Sequence, residues 1–312
     1  MINWKRKLQN TAFIFFNLCL MSISTQVGAT KVNDVKYLIS FNSYKSSCLL
    51  RVNDLPGVDT SRANNGTMSA GYNTTSFLAN GNNTIELLMG PEKPEDRKTL
   101  YPDSSCVVTV SKDTKDTSIE IAKFILGVNN KGEITARESS FYNGGTYNSK
   151  IIEGYTKNEN DYGLYKLSSN LLINDLPRWE WTKATPVTER DLPIIRKAYE
   201  NIWWMIQKRD IDSLKKISQI SINEMAYAEG TTTGIIFVST DFPAHVLDKS
   251  LTPVPIDWNH YKLITYNHGR LFRMGVGFYQ NSPLRFKNDQ NVSIFSYNPY
   301  FSIINGKVVL VR

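Results

Sequence analysis

The 312-residue chain carries a formal net charge of +7, with three cysteines and three histidines. Three of its cations, Lys5, Arg6 and Lys7, stand near the start without acidic partners, so the charge falls from +7 to a mild +4 beyond them and forms no basic run of the kind that binds nucleic acid. After residue 29 no stretch of 18 uninterrupted apolar residues occurs, which excludes a membrane-spanning helix there.

The opening cations are followed by an apolar stretch from Thr11 to Ile23 and then by Val27-Gly28-Ala29. This order of basic, apolar and small residues is that of a cleavable secretory signal. Its apolar core is shorter than the ~20 residues that span a bilayer, and Phe16-Asn17-Leu18 ahead of Cys19 lacks the small residue that precedes a lipidated cysteine. The expectation is a signal peptide over residues 1–29, a mature chain beginning at Thr30, and a periplasmic or secreted location. The mature chain then keeps Cys48 and Cys106, and an even pair in an oxidising compartment predicts a disulfide. Their spacing does not form a CxxC pair, and His245, His260 and His268 are the further soft ligands. No metal and no cofactor is expected.

About 283 residues remain after cleavage, more than a single core usually organises. Composition divides them into an all-β sandwich over 30–177 and an α+β domain over 178–312. In the first part Tyr37–Phe41, Cys48–Val52, Thr84–Leu88, Val107–Val110 and Ile119–Ile125 read as strands. Turn clusters separate them at Asn53-Asp54, Asn64-Asn65-Gly66, Asn80-Gly81-Asn82 and Asn129 to Gly132. The order Leu50-Arg51-Val52-Asn53-Asp54-Leu55-Pro56-Gly57, then Phe77-Leu78-Ala79-Asn80-Gly81-Asn82-Asn83-Thr84-Ile85-Glu86-Leu87, resembles the galactose-binding-like jelly rolls attached to many glycosidases. Asp54 stands where that pattern has glycine. The resemblance implies a jelly-roll sandwich and, through the class, a carbohydrate ligand.

The second part opens with a helix. Thr188 is placed as N-cap with Asp191 three residues on, and Leu192, Ile195, Tyr199, Ile202, Trp203 and Ile206 keep helical spacing. Asp210 is expected to cap a second helix carrying Leu214 and Ile217, and a third runs from about Ser221 to Gly230. Strands follow. Tyr261–Tyr266 and Leu271–Val276 flank Asn267-His268-Gly269, and Tyr300–Ile304 and Lys307–Val311 flank Asn305-Gly306, a strong hairpin signal. Helices packed on a curved antiparallel sheet resemble the cone of nuclear-transport-factor-2-like proteins.

No GxSxG elbow, HExxH, Walker loop or strand-borne GxGxxG occurs in the sequence. Asp257 and His260, with His268 nearby, form one acid-base candidate, which would make the cone a small-molecule enzyme. Asn158 to Gly163 begins like a calcium loop, but Tyr162 and Ser169 occupy ligand positions, so a solvated turn is expected. Arg178, Trp179 and Trp181 at the domain junction and Trp204 on the first helix are the binding candidates, because Trp and Arg concentrate at interface hot spots. For Trp179 and Trp181 the competing role is to join the two domains. An exported sandwich plus α+β domain without a catalytic motif resembles the periplasmic immunity proteins. That resemblance implies a non-catalytic protein that neutralises a toxin by binding it; the alternative partner is a cell-envelope glycan.

Overall fold

The computed structural model describes residues 34–137, 140–141 and 152–312, so the expected leader and the cleavage point at Thr30 lie outside the described residues. The described chain is β-rich, with antiparallel sheets and a helical region in its second half. Among the described residues no helix is long and apolar enough to cross a membrane.

The strands ahead of the first helix are β1 (Lys36–Tyr44), β2 (Ser46–Val52), β3 (Leu55–Asp59), β4 (Met68–Asn73), β5 (Gly81–Pro91), β6 (Ser105–Asp113), β7 (Ser118–Val128), β8 (Ile134–Ala136), β9 (Ser140–Phe141), β10 (Ile152–Tyr155) and β11 (Tyr165–Ile173). They form two sheets, one ordered β4-β1-β6-β7-β8 with β9 also on β7, the other β10-β11-β5-β2-β3. Alternation sets the inward faces. Tyr37, Ile39 and Phe41 of β1 and Cys106, Val108 and Val110 of β6 are buried, as are Cys48, Leu50 and Val52 of β2 and Ile85, Leu87 and Met89 of β5, and all belong to one core. The expected disulfide is present. Cys48 and Cys106 lie in different sheets with Cα atoms 6.0 Å apart, so the bond ties one layer to the other.

Asn53 and Asp54 both take positive φ, 52° and 68°, as a tight hairpin turn requires. Asp54 therefore adopts the conformation for which glycine is usual. Asn83, 1% exposed, accepts hydrogen bonds from Asn53 Nδ2 and from the Ala79 amide, both at 2.9 Å. The asparagines of the two quoted segments thus hold this end of the sandwich together. Strand β11, between β10 and β5, is not legible in the sequence because buried Ser168 and Ser169 interrupt its apolar alternation.

The helices are α1 (Leu192–Gln207), α2 (Ile211–Ile217), α3 (Gln219–Glu229), α4 (Thr233–Ser239) and α5 (Phe242–Leu247). At the start of the first, the Asp191 carboxylate accepts from the Thr188 amide at 2.8 Å and from its hydroxyl at 3.0 Å, as expected, although one 3-10 turn intervenes before α1. Asp210 caps α2 by accepting from the Ser213 amide at 3.0 Å, and Gly230 ends α3 at φ 67°. The short α4 and α5 were not anticipated. Gly234, Ile235, Ile236, Phe237 and Val238 are weak helix formers, and six or seven residues are too few for a period to show.

The remaining strands are β12 (Thr252–Pro253), β13 (Lys262–Tyr266), β14 (Leu271–Gly275), β15 (Arg285–Lys287), β16 (Ser293–Ser296), β17 (Phe301–Ile304) and β18 (Lys307–Leu310). They divide between a sheet ordered β13-β14-β17-β18 and a small one ordered β12-β15-β16, instead of forming one curved sheet. Strand β14 shows how the second half is layered. Phe272 and Met274 join α1 residues Ile195, Tyr199, Ile202 and Ile206 in one core, whereas Leu271 on the other face joins the sandwich core, together with Tyr266 of β13. The β13-β14 sheet is thereby packed between α1 and the sandwich.

A cleft between the sandwich and the second sheet

The layering leaves a cleft of about 1000 Å³ between the outer face of the β10-β11-β5-β2-β3 sheet and strands β13 and β14. Because Cys48, Leu50 and Val52 point into the sandwich, the alternate residues Leu49 and Arg51 of β2 point out and form the floor, with Glu86 directly opposite Arg51 on β5. The turn carrying Asn158, Asn160 and Tyr162 makes one wall. Thr265 and Tyr266 of β13, Arg273 of β14, and the turn from Gly277 to Gln280, closed by the Val276 and Asn281 bridge, make the other.

Two cations and two carboxylates alternate at and beneath the floor, Arg51 and Glu86 lining the cleft. Arg51 Nη1 lies 2.7 Å from Asp161 Oδ1 and 3.3 Å from Glu86 Oε2, while Lys166 Nζ lies 2.9 Å from Asp161 Oδ2 and 3.2 Å from Glu86 Oε1. Asp161 is fully buried and also accepts from the Thr156 hydroxyl at 2.5 Å. Burial by itself would raise its carboxyl, but the bonds from Thr156, Arg51 and Lys166 outweigh that and hold it below the usual carboxylate range. For Lys166 burial acts to lower the ammonium, and the two carboxylates reverse this to a net rise. Both groups therefore stay charged at neutral pH. The turn that resembled a calcium loop is a solvated turn at Asn158, Glu159, Asn160, Tyr162 and Gly163, as expected; only Asp161 is buried, where it is spent on two cations, and the Asn160 carbonyl accepts from Arg51 Nη2.

Above this floor stand three aromatic rings. Tyr162 is 45% exposed, and Phe278 and Tyr279 are 40% exposed each. The Tyr162 ring lies 5.0 Å from that of Phe278, which lies 5.2 Å from that of Tyr279. The Tyr279 hydroxyl meets Ser61 Oγ at 2.8 Å, and the Arg62 guanidinium sits 4.7 Å over its ring. Tyr162 has φ 54°, a left-handed conformation that costs a bulky residue of order 1 kcal/mol and that turns its side chain toward Phe278. These rings were missed in the sequence. The available signal was Phe278-Tyr279 in a turn after Gly277, where neither helical nor strand periodicity calls for aromatics.

The residues singled out in the sequence lie elsewhere and not together. Trp179 and Trp181 are buried, 2% and 0% exposed, with their indole N–H groups donating to Leu78 O at 2.9 Å and Ser76 O at 3.2 Å. They fill the sandwich core, and Trp181 sits in a 3-10 turn rather than in extended chain. Arg178 beside them is exposed. Trp204 is 56% exposed on the outer side of α1, off the buried stripe, with its ring edge-on to Trp203 at 5.0 Å. His260 stands at the rim of the cleft with Nδ1 3.1 Å from Asp257 Oδ2, and both side chains are open to solvent, 71% and 55% exposed. His268 is exposed in the β13-β14 turn at φ 55°. Among the described residues no group of three or more His, Cys, Asp or Glu is placed to hold a metal ion.

Comparison of the chain with protein-family models, with curated proteins and with solved structures finds no match.

Proposed function

We propose that this is an exported, non-catalytic binding protein whose cleft takes a glycan of the cell envelope. The observation that carries the reading is the contiguous set of exposed rings, Tyr162, Phe278 and Tyr279, at the mouth of a cleft whose lining also presents amide, hydroxyl and charged groups. A sugar ring offers an apolar C–H face and an edge of hydroxyls. Exposed aromatic faces match the first, and Asn158, Asn160, Thr265 and Gln280 match the second. The inter-sheet disulfide supports an oxidising compartment. The Asp257 and His260 pair supports catalysis poorly, because both side chains lie in solvent and the Asp257 carboxylate already serves as a cap, accepting from the Asn259 amide at 3.1 Å.

The test is calorimetric titration with neutral and acidic trisaccharides. Since Phe278 and Tyr279 are half in solvent, the Phe278→Ala, Tyr279→Ala double variant is expected to lose at least tenfold in saccharide affinity while its melting temperature changes little. A protein that binds no saccharide of either class, or a double variant that binds as well as the parent, removes this reading.

A second reading, capture of a toxin-like protein partner, is favoured by Trp204 alone. The neighbouring Trp203 is anchored by its N–H to Val254 O at 2.8 Å, so it presents the exposed Trp204 ring on a fixed support. In that case Trp204→Ala is expected to weaken a stoichiometric periplasmic partner by about 2 kcal/mol or more with the helix intact, measured by pull-down and surface binding. An undiminished affinity excludes Trp204 as the anchor.

A further inference from the structure

Arg273 is 4% exposed and lines the cleft, yet no carboxylate lies within ion-pair distance of it among the described residues. The contrast with the two other buried arginines is direct: Arg51 has Asp161 and Glu86, and Arg312 has Glu224. A guanidinium has five N–H donors and stays charged at any physiological pH. In Arg273 one of them is matched, by Nη2 donating to Asn298 O at 3.0 Å, while Nε is buried without any hydrogen-bond partner. The remaining support is the Tyr300 ring, 3.7 Å from the guanidinium carbon. An aromatic face offsets part of a cation's desolvation but supplies no acceptor for its N–H groups. Buried charges are normally paired, and a half-satisfied one beside a cavity marks where a ligand completes the set.

The side chain is also held in place. Arg273 faces Ile264 in the antiparallel register of β13 and β14, on the same face as Leu271 and Gly275, which is the face turned to the sandwich. Gly275 next along that face has no room for a Cβ, which would meet Ile264 Cδ1 at 2.8 Å and Gln280 O at 2.9 Å. The turn bearing Phe278 and Tyr279 is thus packed directly against the strand that carries Arg273.

We propose that the glycan taken by the cleft is acidic, its sugar ring resting on the aromatic set and its carboxylate received by Arg273. This rests on the glycan reading above and adds the charge of the ligand. Arg273 is assigned as the binding residue that discriminates acidic from neutral sugars; it is given no catalytic part. Charge-assisted bonds from Arg to a carboxylate are the stronger class of hydrogen bond, so the preference is expected to be at least tenfold.

The experiment titrates the whole protein with tri-galacturonate, with maltotriose as the neutral probe and with inorganic phosphate as the charge alone. The expected result is tri-galacturonate bound at least tenfold more tightly than maltotriose. Arg273→Gln should bring the two within about threefold, with Arg273→Lys between. Because Arg273 is buried and its variants can misfold, the wild-type Arg273 Nε–H resonance is followed as well, and it should shift with tri-galacturonate and not with maltotriose. Equal affinity for the two trisaccharides overturns the acidic assignment and leaves the glycan reading standing. A preference that survives in folded Arg273→Gln, or a silent Nε–H resonance at saturation, overturns the role of Arg273. Phosphate bound as tightly as tri-galacturonate shows an anion site without a sugar site and overturns the proposal, and no binding of either sugar overturns it together with the glycan reading.

Discussion

Glu224→Ala is expected to destabilise the folded protein by about 3–5 kcal/mol, the cost of leaving a buried cation without its carboxylate. The Arg312 side chain is fully buried and its Nη1 lies 2.5 Å from Glu224 Oε2. Its Nε and Nη2 both donate to Ser76 O, at 2.9 and 2.7 Å, and the same carbonyl accepts the Trp181 indole N–H at 3.2 Å. The second Glu224 oxygen accepts the Glu180 amide at 2.6 Å. One carboxylate therefore joins α3, the 3-10 turn that carries Trp181, and Arg312, which in turn grips the sandwich at Ser76. Burial pushes the Arg312 guanidinium down, and Glu224 is the charge that opposes this shift. Removing the carboxylate leaves the burial penalty uncompensated. The double variant Arg312→Met, Glu224→Leu should recover much of the loss, because it removes the charge together with its partner. Urea unfolding followed by tryptophan fluorescence measures both. A Glu224→Ala loss below about 1 kcal/mol would show that water reaches the guanidinium and that the pair is not the clasp described.

Removing the Cys48–Cys106 bond is expected to cost about 4 kcal/mol, from the chain entropy that a 58-residue separation returns to the unfolded state. The bond runs from β2 in one sheet to β6 in the other, and both residues are buried, 3% and 0% exposed. Cys48→Ala, Cys106→Ala is the suitable variant, since alanine introduces no polar group into this interior. The loss should appear as a lower urea midpoint, and the same shift should follow reduction of the parent protein. A variant as stable as the parent would mean that the unfolded chain already keeps these strands together. The two losses should add nearly completely, because the bond and the Glu224 pair share no residue.

Much of the local structure was legible because it depends on few neighbouring residues. The Asn53-Asp54 and Asn305-Gly306 turns take positive φ at both positions, as their side chains permit at low cost. The Thr188 to Asp191 cap and the stripe from Leu192 to Ile206 placed α1 and left Trp204 outside it. The β-rich character of the first half and the pairing of Cys48 with Cys106 likewise followed from composition and count. The sequence also offered Trp179 and Trp181 as binding residues while favouring a structural role for them, without showing what they pack against.

Tertiary structure decided the packing of these two indoles and the cleft, for one physical reason: burial and charge pairing are set by residues far apart in the chain. Trp179 finds its acceptor, Leu78 O, 101 positions away, and only that meeting makes an indole N–H tolerable in the core. Arg51 and Asp161 are 110 positions apart, so neither the outward side of β2 nor the polar turn betrays an ion pair by itself. The rings of Tyr162 and Phe278 meet in the same way, across two turns brought together by the packing of two sheets. Arg273 reads in sequence as a cation interrupting an apolar strand. Its burial beside a cavity, without a carboxylate within ion-pair reach among the described residues, exists only once β14 is packed between α1 and the sandwich.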